Sequence, residues 1–160
     1  MKRLRALSFL AIALLAGCTT VKFVADYDEE LDKGITALHK QTEAYLVKLE
    51  SVPGEKLDAY DRNRTFYGDT RVTISALRLR ADATERNSLT VRMLDRLQNN
   101  MNRFEKDHKN GIQKAELPLY RSGFNSQFTA ILTFELAKKR GERPDETKAS
   151  QAATPMASQQ

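Results

Sequence analysis

Few residues in this chain of 160 could do chemistry, and their spacing limits what they can do. There are two histidines, His39 and His108, and one cysteine, Cys18. Glu105-Lys106-Asp107-His108 has the Glu-x-x-His spacing by which di-iron bundles put two ligands on one helix face. Such a centre needs a second copy of the motif and two more inward glutamates. Thr36 stands three residues before His39, so the second copy is missing and no metal site is expected. His108 then reads as the polar end of a helical seam. Asp26, Asp28, Glu30 and Asp32 alternate as calcium-loop ligands do. However, Leu31 stands where such a loop needs glycine, and Ala37 where it needs glutamate. These acids fit a helix start better, where the dipole favours negative charge. No nucleophilic triad can be argued from spacing, and there is no glycine-rich phosphate loop. The expectation is a non-enzyme without a cofactor.

The cysteine has a more specific setting. MKRLR is basic, and the 11 residues from Ala6 to Ala16 are apolar. A membrane-spanning helix needs about 20 residues, so this stretch is a secretory signal and not a span. Leu15-Ala16-Gly17-Cys18 closes it. These residues resemble the lipobox of bacterial lipoproteins, a likeness confined to about the first 20 positions. The resemblance implies a diacylglyceryl group on the Cys18 sulfur, cleavage between Gly17 and Cys18, and acylation of the new amino terminus. It also implies a membrane partner through the lipid anchor. Thr19 follows the cysteine where an aspartate commonly retains such proteins at the inner membrane, so the periplasmic side of an outer membrane is implied.

Cleavage there would leave 143 of the 160 residues. It would also remove Lys2, Arg3 and Arg5 and so lower the net charge from +5 to +2. The basic character belongs largely to the leader, and no nucleic-acid partner is expected.

The remaining sequence reads as an all-α bundle of three or four antiparallel helices. The domain divisions are a signal peptide at 1–17, a lipidated tether at 18–25, a helical bundle at 26–141 and a disordered tail at 142–160. Tether residues 19–25 span at most about 25 Å, which keeps the domain beside the bilayer. The first helix, 26–52, carries Leu31, Ile35, Leu38, Thr42, Tyr45 and Leu49 on one face. The second, from Glu55 to about Ala83, has a more polar seam, and Gly68 is positioned to kink or break it. The third is expected to take Thr90 as its N-cap, with Leu89 and Leu94 as a hydrophobic staple, and to end near Lys109. The fourth runs from Pro118 to Lys138-Lys139-Arg140, three cations suited to a helix C-terminus. Its stretch 122–134 carries no charge, which predicts a central helix buried on several sides.

Two surfaces are candidates for contact. Arg64, Arg71 and Arg78 repeat at sevens. They read either as partners in salt bridges between helices or as a stripe for an anion or an acidic partner. Gly123, Ser126 and Ala130 begin a side of small residues on the last helix. That side allows close packing within the core, or docking of an envelope protein or a second copy. The function expected is a lipid-anchored, non-enzymatic interaction or structural module of the bacterial cell envelope. The alternative is a bundle that binds a small ligand, or an unrecognised periplasmic enzyme, with Phe124, Phe128, Tyr60 and Tyr67 lining its interior.

Overall fold

Asp28 starts the first helix, and its carboxylate does two tasks there. It accepts the amide hydrogens of Glu30 and Leu31 at 3.0 and 3.1 Å, satisfying donors that a helix start leaves open. It also accepts from Arg80 Nε at 2.6 Å and so ties that start to the end of the second helix. The computed structural model describes residues 24–54 and 59–141. Within them are four helices of equal length: α1 (Glu29–Ser51), α2 (Tyr60–Asp82), α3 (Ser88–Asn110) and α4 (Leu117–Lys139). A single 3₁₀ turn, Lys114–Glu116, leads into α4. The signal segment 1–17, the tether up to residue 23 and the tail 142–160 lie outside the described residues.

The helices run up and down in sequence order, each packed on the next, with α4 closing back onto α1. The core is one cluster drawn from all four helices, including Leu31, Leu46, Ile74, Leu94, Phe104, Phe124 and Phe128. Each such side chain contributes about 1.5–3 kcal/mol by leaving water. α3 ends at Gly111 with φ 93°, where a side chain would be strained. The amides of Gly111 and Ile112 return to the carbonyls of His108 and Asp107 at 3.1 and 3.2 Å, which satisfies that helix end. No helix among the described residues is long and apolar enough to cross a membrane.

The all-α bundle expected from the sequence is the fold observed, with four helices. Several local expectations need correction. Val24 packs on the core and Ala25 is buried, so the end of the expected tether belongs to the bundle. α2 continues unbroken through Gly68, because a single glycine weakens a helix without removing any hydrogen bond. Thr90 is not an N-cap. α3 already begins at Ser88, and the Thr90 hydroxyl donates to Glu135 across the bundle. Lys138 stands in the last turn of α4 as expected, but it is buried there. Nor is α4 central: Ser126, Thr129 and Thr133 are exposed, so its uncharged stretch has a water-facing side of small hydroxyl residues. Hydroxyls are tolerated on either side of a helix, and their lack of charge gave no direction.

Candidate functional site

Each end of the bundle closes around a buried polar cluster. At the end away from the tether, α1, α2 and α3 bring together Tyr45, Tyr67 and His108. The Tyr45 hydroxyl donates to the Tyr67 oxygen at 3.3 Å. The Tyr67 hydrogen is then left for His108 Nδ1, 2.7 Å away. Tyr45 also lies 3.3 Å from that nitrogen. Burial, with the neighbouring Tyr45 hydroxyl, pushes the Tyr67 phenol far above its ordinary range. The phenol is therefore kept protonated, as a hydrogen-bond donor to His108.

Beside this trio, Glu105 accepts from the Tyr60 hydroxyl at 2.7 Å and from Arg71 Nη2 at 2.5 Å, with Lys109 Nζ at 3.2 Å. Burial raises the Glu105 carboxyl, but the Tyr60 hydroxyl and the two cations outweigh it and hold the group below its usual value. The Glu-x-x-His pair thus uses its groups on protein partners. Among the described residues no cluster of three metal-ligating side chains is present. His39 sits apart, with Nε2 2.9 Å from Asn125 Oδ1 and its ring against Phe128.

At the tether end, Lys138 Nζ reaches Asn87 Oδ1 at 2.6 Å, Glu135 Oε1 at 2.7 Å and Thr90 Oγ1 at 3.1 Å. Thr90 in turn donates to Glu135 Oε1 at 2.8 Å. The Lys138 and Glu135 side chains are 1% and 0% exposed, so this is an ion pair fully removed from water. Burial pulls the Lys138 ammonium below its ordinary range, opposed by the Glu135 carboxylate. A hydroxyl between a carboxylate and an amine is an arrangement that can activate a nucleophile. Here Thr90 is wholly buried, and the geometry ties α3 to α4. A sequence signal for the pair exists. Phe128 plus seven is Glu135, and Ile131 plus seven is Lys138, so both charges continue the buried face of α4.

The three arginines at sevens do not form one free stripe. Arg71 pairs with Glu105, and Arg78 Nε lies 2.6 Å from Asp95 Oδ1, both on α3. Arg64 is exposed, 3.9 Å from Asp61 within its own helix. The small-residue side of α4 is divided. Gly123 is half-buried, Ser126 and Thr133 are exposed, and Ala130 and Ala137 are buried. The aromatic side chains proposed as pocket walls pack on other rings: Phe104 lies 5.7 Å from Phe124 and 4.7 Å from Tyr120, and Tyr60 lies 5.7 Å from Tyr67. Cys18 and Gly17 lie outside the described residues.

Comparison with known protein families, curated proteins and solved structures finds no match for this chain.

Proposed function

We propose that this protein is a lipid-anchored, non-enzymatic module of the bacterial cell envelope. In this reading the bundle is held at a membrane surface and presents a fixed helical face to a partner there. The observation that carries it is Leu15-Ala16-Gly17-Cys18, placed directly after a short apolar signal and six residues before the packed start of the bundle at Val24. Six residues reach at most about 20 Å, so an acylated Cys18 keeps the bundle close to the bilayer. Two or more acyl chains give stable anchoring. Confinement at one surface raises the effective concentration of the bundle for partners on the same membrane. Thr19, where an inner-membrane protein would carry aspartate, supports the periplasmic face of an outer membrane.

The aromatic core supports an interaction module over a ligand-binding bundle, because its rings are packed against one another. The candidate contact areas are the exposed Arg64 side of α2 and the open edge of α4 at Gly123 and Ser126. Pull-down from intact membranes, set against a Cys18→Ala form, tests the reading. An envelope protein or a second copy retained by the wild type and lost from Cys18→Ala is the expected result. Equal recovery with both forms would remove the role of the anchor, and recovery with neither would remove the interaction.

A further inference from the structure

We propose that two copies of this chain pair side by side and in parallel through the outward face of α2. The proposal deepens the interaction-module reading by naming the partner as a second copy. The direction of the pair rests on the lipid anchor, and the pairing itself does not.

α2 carries two lines of residues at helical spacing, and only one is used within the bundle. Tyr67, Thr70, Ile74, Leu77 and Ala81 turn inward and are buried. On the outer side, Thr65, Gly68, Val72, Ala76, Leu79 and Ala83 follow one another at steps of 3, 4, 4, 3 and 4. This second line runs for about 27 Å without a charge. In the whole chain 29% of residues are charged, so such a gap along a water-facing helix is unusual. Val72 and Leu79 are each 70% exposed, the most open of the large apolar side chains described. One exposed leucine means little, but two large apolar side chains a heptad apart on an uncharged line mark a contact surface. Gly68 adds access. A Cβ built there meets nothing within 4 Å, so a second helix can approach the backbone closely.

The charges beside this line select its occupant. Arg64, Arg71, Arg78 and Asp82 flank it on one side, Arg62, Asp69 and Arg80 on the other, and Asp61 precedes it. Most are engaged within their own chain. Arg71 pairs with Glu105, Arg78 with Asp95 and Asp82, and Arg80 with Asp28; Arg62 is engaged as well. Two groups remain. Asp69 is exposed and has no ion pair among the described residues. Arg64 has only Asp61, 3.9 Å away, with the two side chains 69% and 85% exposed. In a parallel helix pair, a residue on one flank meets the residue five further along on the opposite flank of the other helix. Arg64 of each copy then meets Asp69 of the other, twice by the two-fold axis. The same rule sets Arg71 and Arg78 opposite Ala76 and Ala83, so no like charges oppose there. An antiparallel pair would lay the arginine flank against itself and point one tether end away from the membrane. A seam between two single helices is small beside the roughly 1,600 Å² of a stable interface. Pairing should therefore be weak in dilute solution and gain from confinement on one membrane.

The test uses the acylated full chain in phosphatidylcholine vesicles, where Cys18 has no free thiol. Single cysteines are introduced by Ala76→Cys, Ala83→Cys or Thr133→Cys, the last exposed on α4, and oxidised with copper phenanthroline. Ala76→Cys and Ala83→Cys should form disulfide dimers several-fold faster than Thr133→Cys. Leu79→Glu should remove that excess, with its fold checked by circular dichroism. Asp69→Arg should slow the cross-linking and the addition of Arg64→Asp should restore it, a recovery that random collision would not give. Cross-linking of Ala76→Cys without Ala83→Cys would mean an antiparallel pair and overturn the proposal. Rates for both that match Thr133→Cys would overturn it altogether. The mass at Cys18 reads the anchor separately. Should it be unacylated, the lipid-anchor reading fails, and the same comparison in concentrated solution, with the linked peptides identified by mass, still decides whether α2 pairs with α2.

Discussion

The buried Glu135–Lys138 pair is the residue whose removal should be felt most. An ion pair out of water gains little over a well-packed apolar pair, but half of one is costly. Lys138→Met leaves Glu135 charged and uncompensated, and should lower stability in urea unfolding by about 3–5 kcal/mol. Glu135→Leu/Lys138→Met should recover at least about 2 kcal/mol of that loss, because no buried charge is left without a partner. A double variant as unstable as the single one would show that packing, not charge, was lost. The sequence showed these residues without their role. Lys138 read as a terminal cation because Lys139 and Arg140 follow it, although its sevenfold spacing from Ile131 already placed it on the buried face. Tyr45, Tyr67 and His108 each lay on a readable seam. That their hydroxyls and imidazole meet depends on the relative register of three helices, which no single helix pattern encodes.

Elements were legible where periodicity was strong and obscure where two helices touch. Leu31, Ile35, Leu38 and Leu49 marked the buried face of α1, and all are nearly inaccessible. Its start moved from Asp26 to Glu29 because Asp28 is the capping residue. Two helical glycines show what sequence leaves out. A Cβ built on Gly68 meets nothing within 4 Å, whereas one on Gly34 would lie 2.5 Å from Leu77 Cδ2 on α2. Gly68→Ala should stabilise the protein by about 0.5–1 kcal/mol, the ordinary gain of alanine in a helix. Gly34→Ala gains the same propensity but must displace Leu77, so it should fall about 1–3 kcal/mol below Gly68→Ala in thermal or urea unfolding. Adding Leu77→Ala should relieve that conflict, giving a favourable coupling in a double-mutant cycle. Equal effects of the two glycine substitutions would mean that α1 and α2 do not approach as closely as described.

At the scale of the whole molecule, the two ends are fastened by different groups that respond alike to acid. Asp28 joins α1 to α2 at the tether end, and Glu105 joins α2 to α3 at the other. Burial raises the Asp28 carboxyl, but the Arg80 guanidinium and the Leu31 and Glu30 amides outweigh it, so it ends below its ordinary value, as Glu105 does. A carboxyl held lower in the folded state stabilises it fully above the unfolded pKa, and that contribution is lost as pH falls through the folded one. Stability should therefore hold near neutrality and decline steeply from about pH 5 towards pH 3. Asp28→Asn keeps a capping oxygen, and Glu105→Gln keeps an acceptor for Tyr60, yet neither titrates. Each should cost about 1–2 kcal/mol at neutral pH and flatten the acid limb. The 23 residues of α1 make a bundle about 35 Å long, so the sites are too far apart to couple, and the two effects should add within about 0.5 kcal/mol. Urea unfolding of the four proteins from pH 7 to pH 3 measures both the slope and the additivity. If the acid limb stayed as steep in the double variant, other carboxylates would have to be what holds the ends. If the effects failed to add, the bundle would be passing strain from one end to the other through its aromatic core.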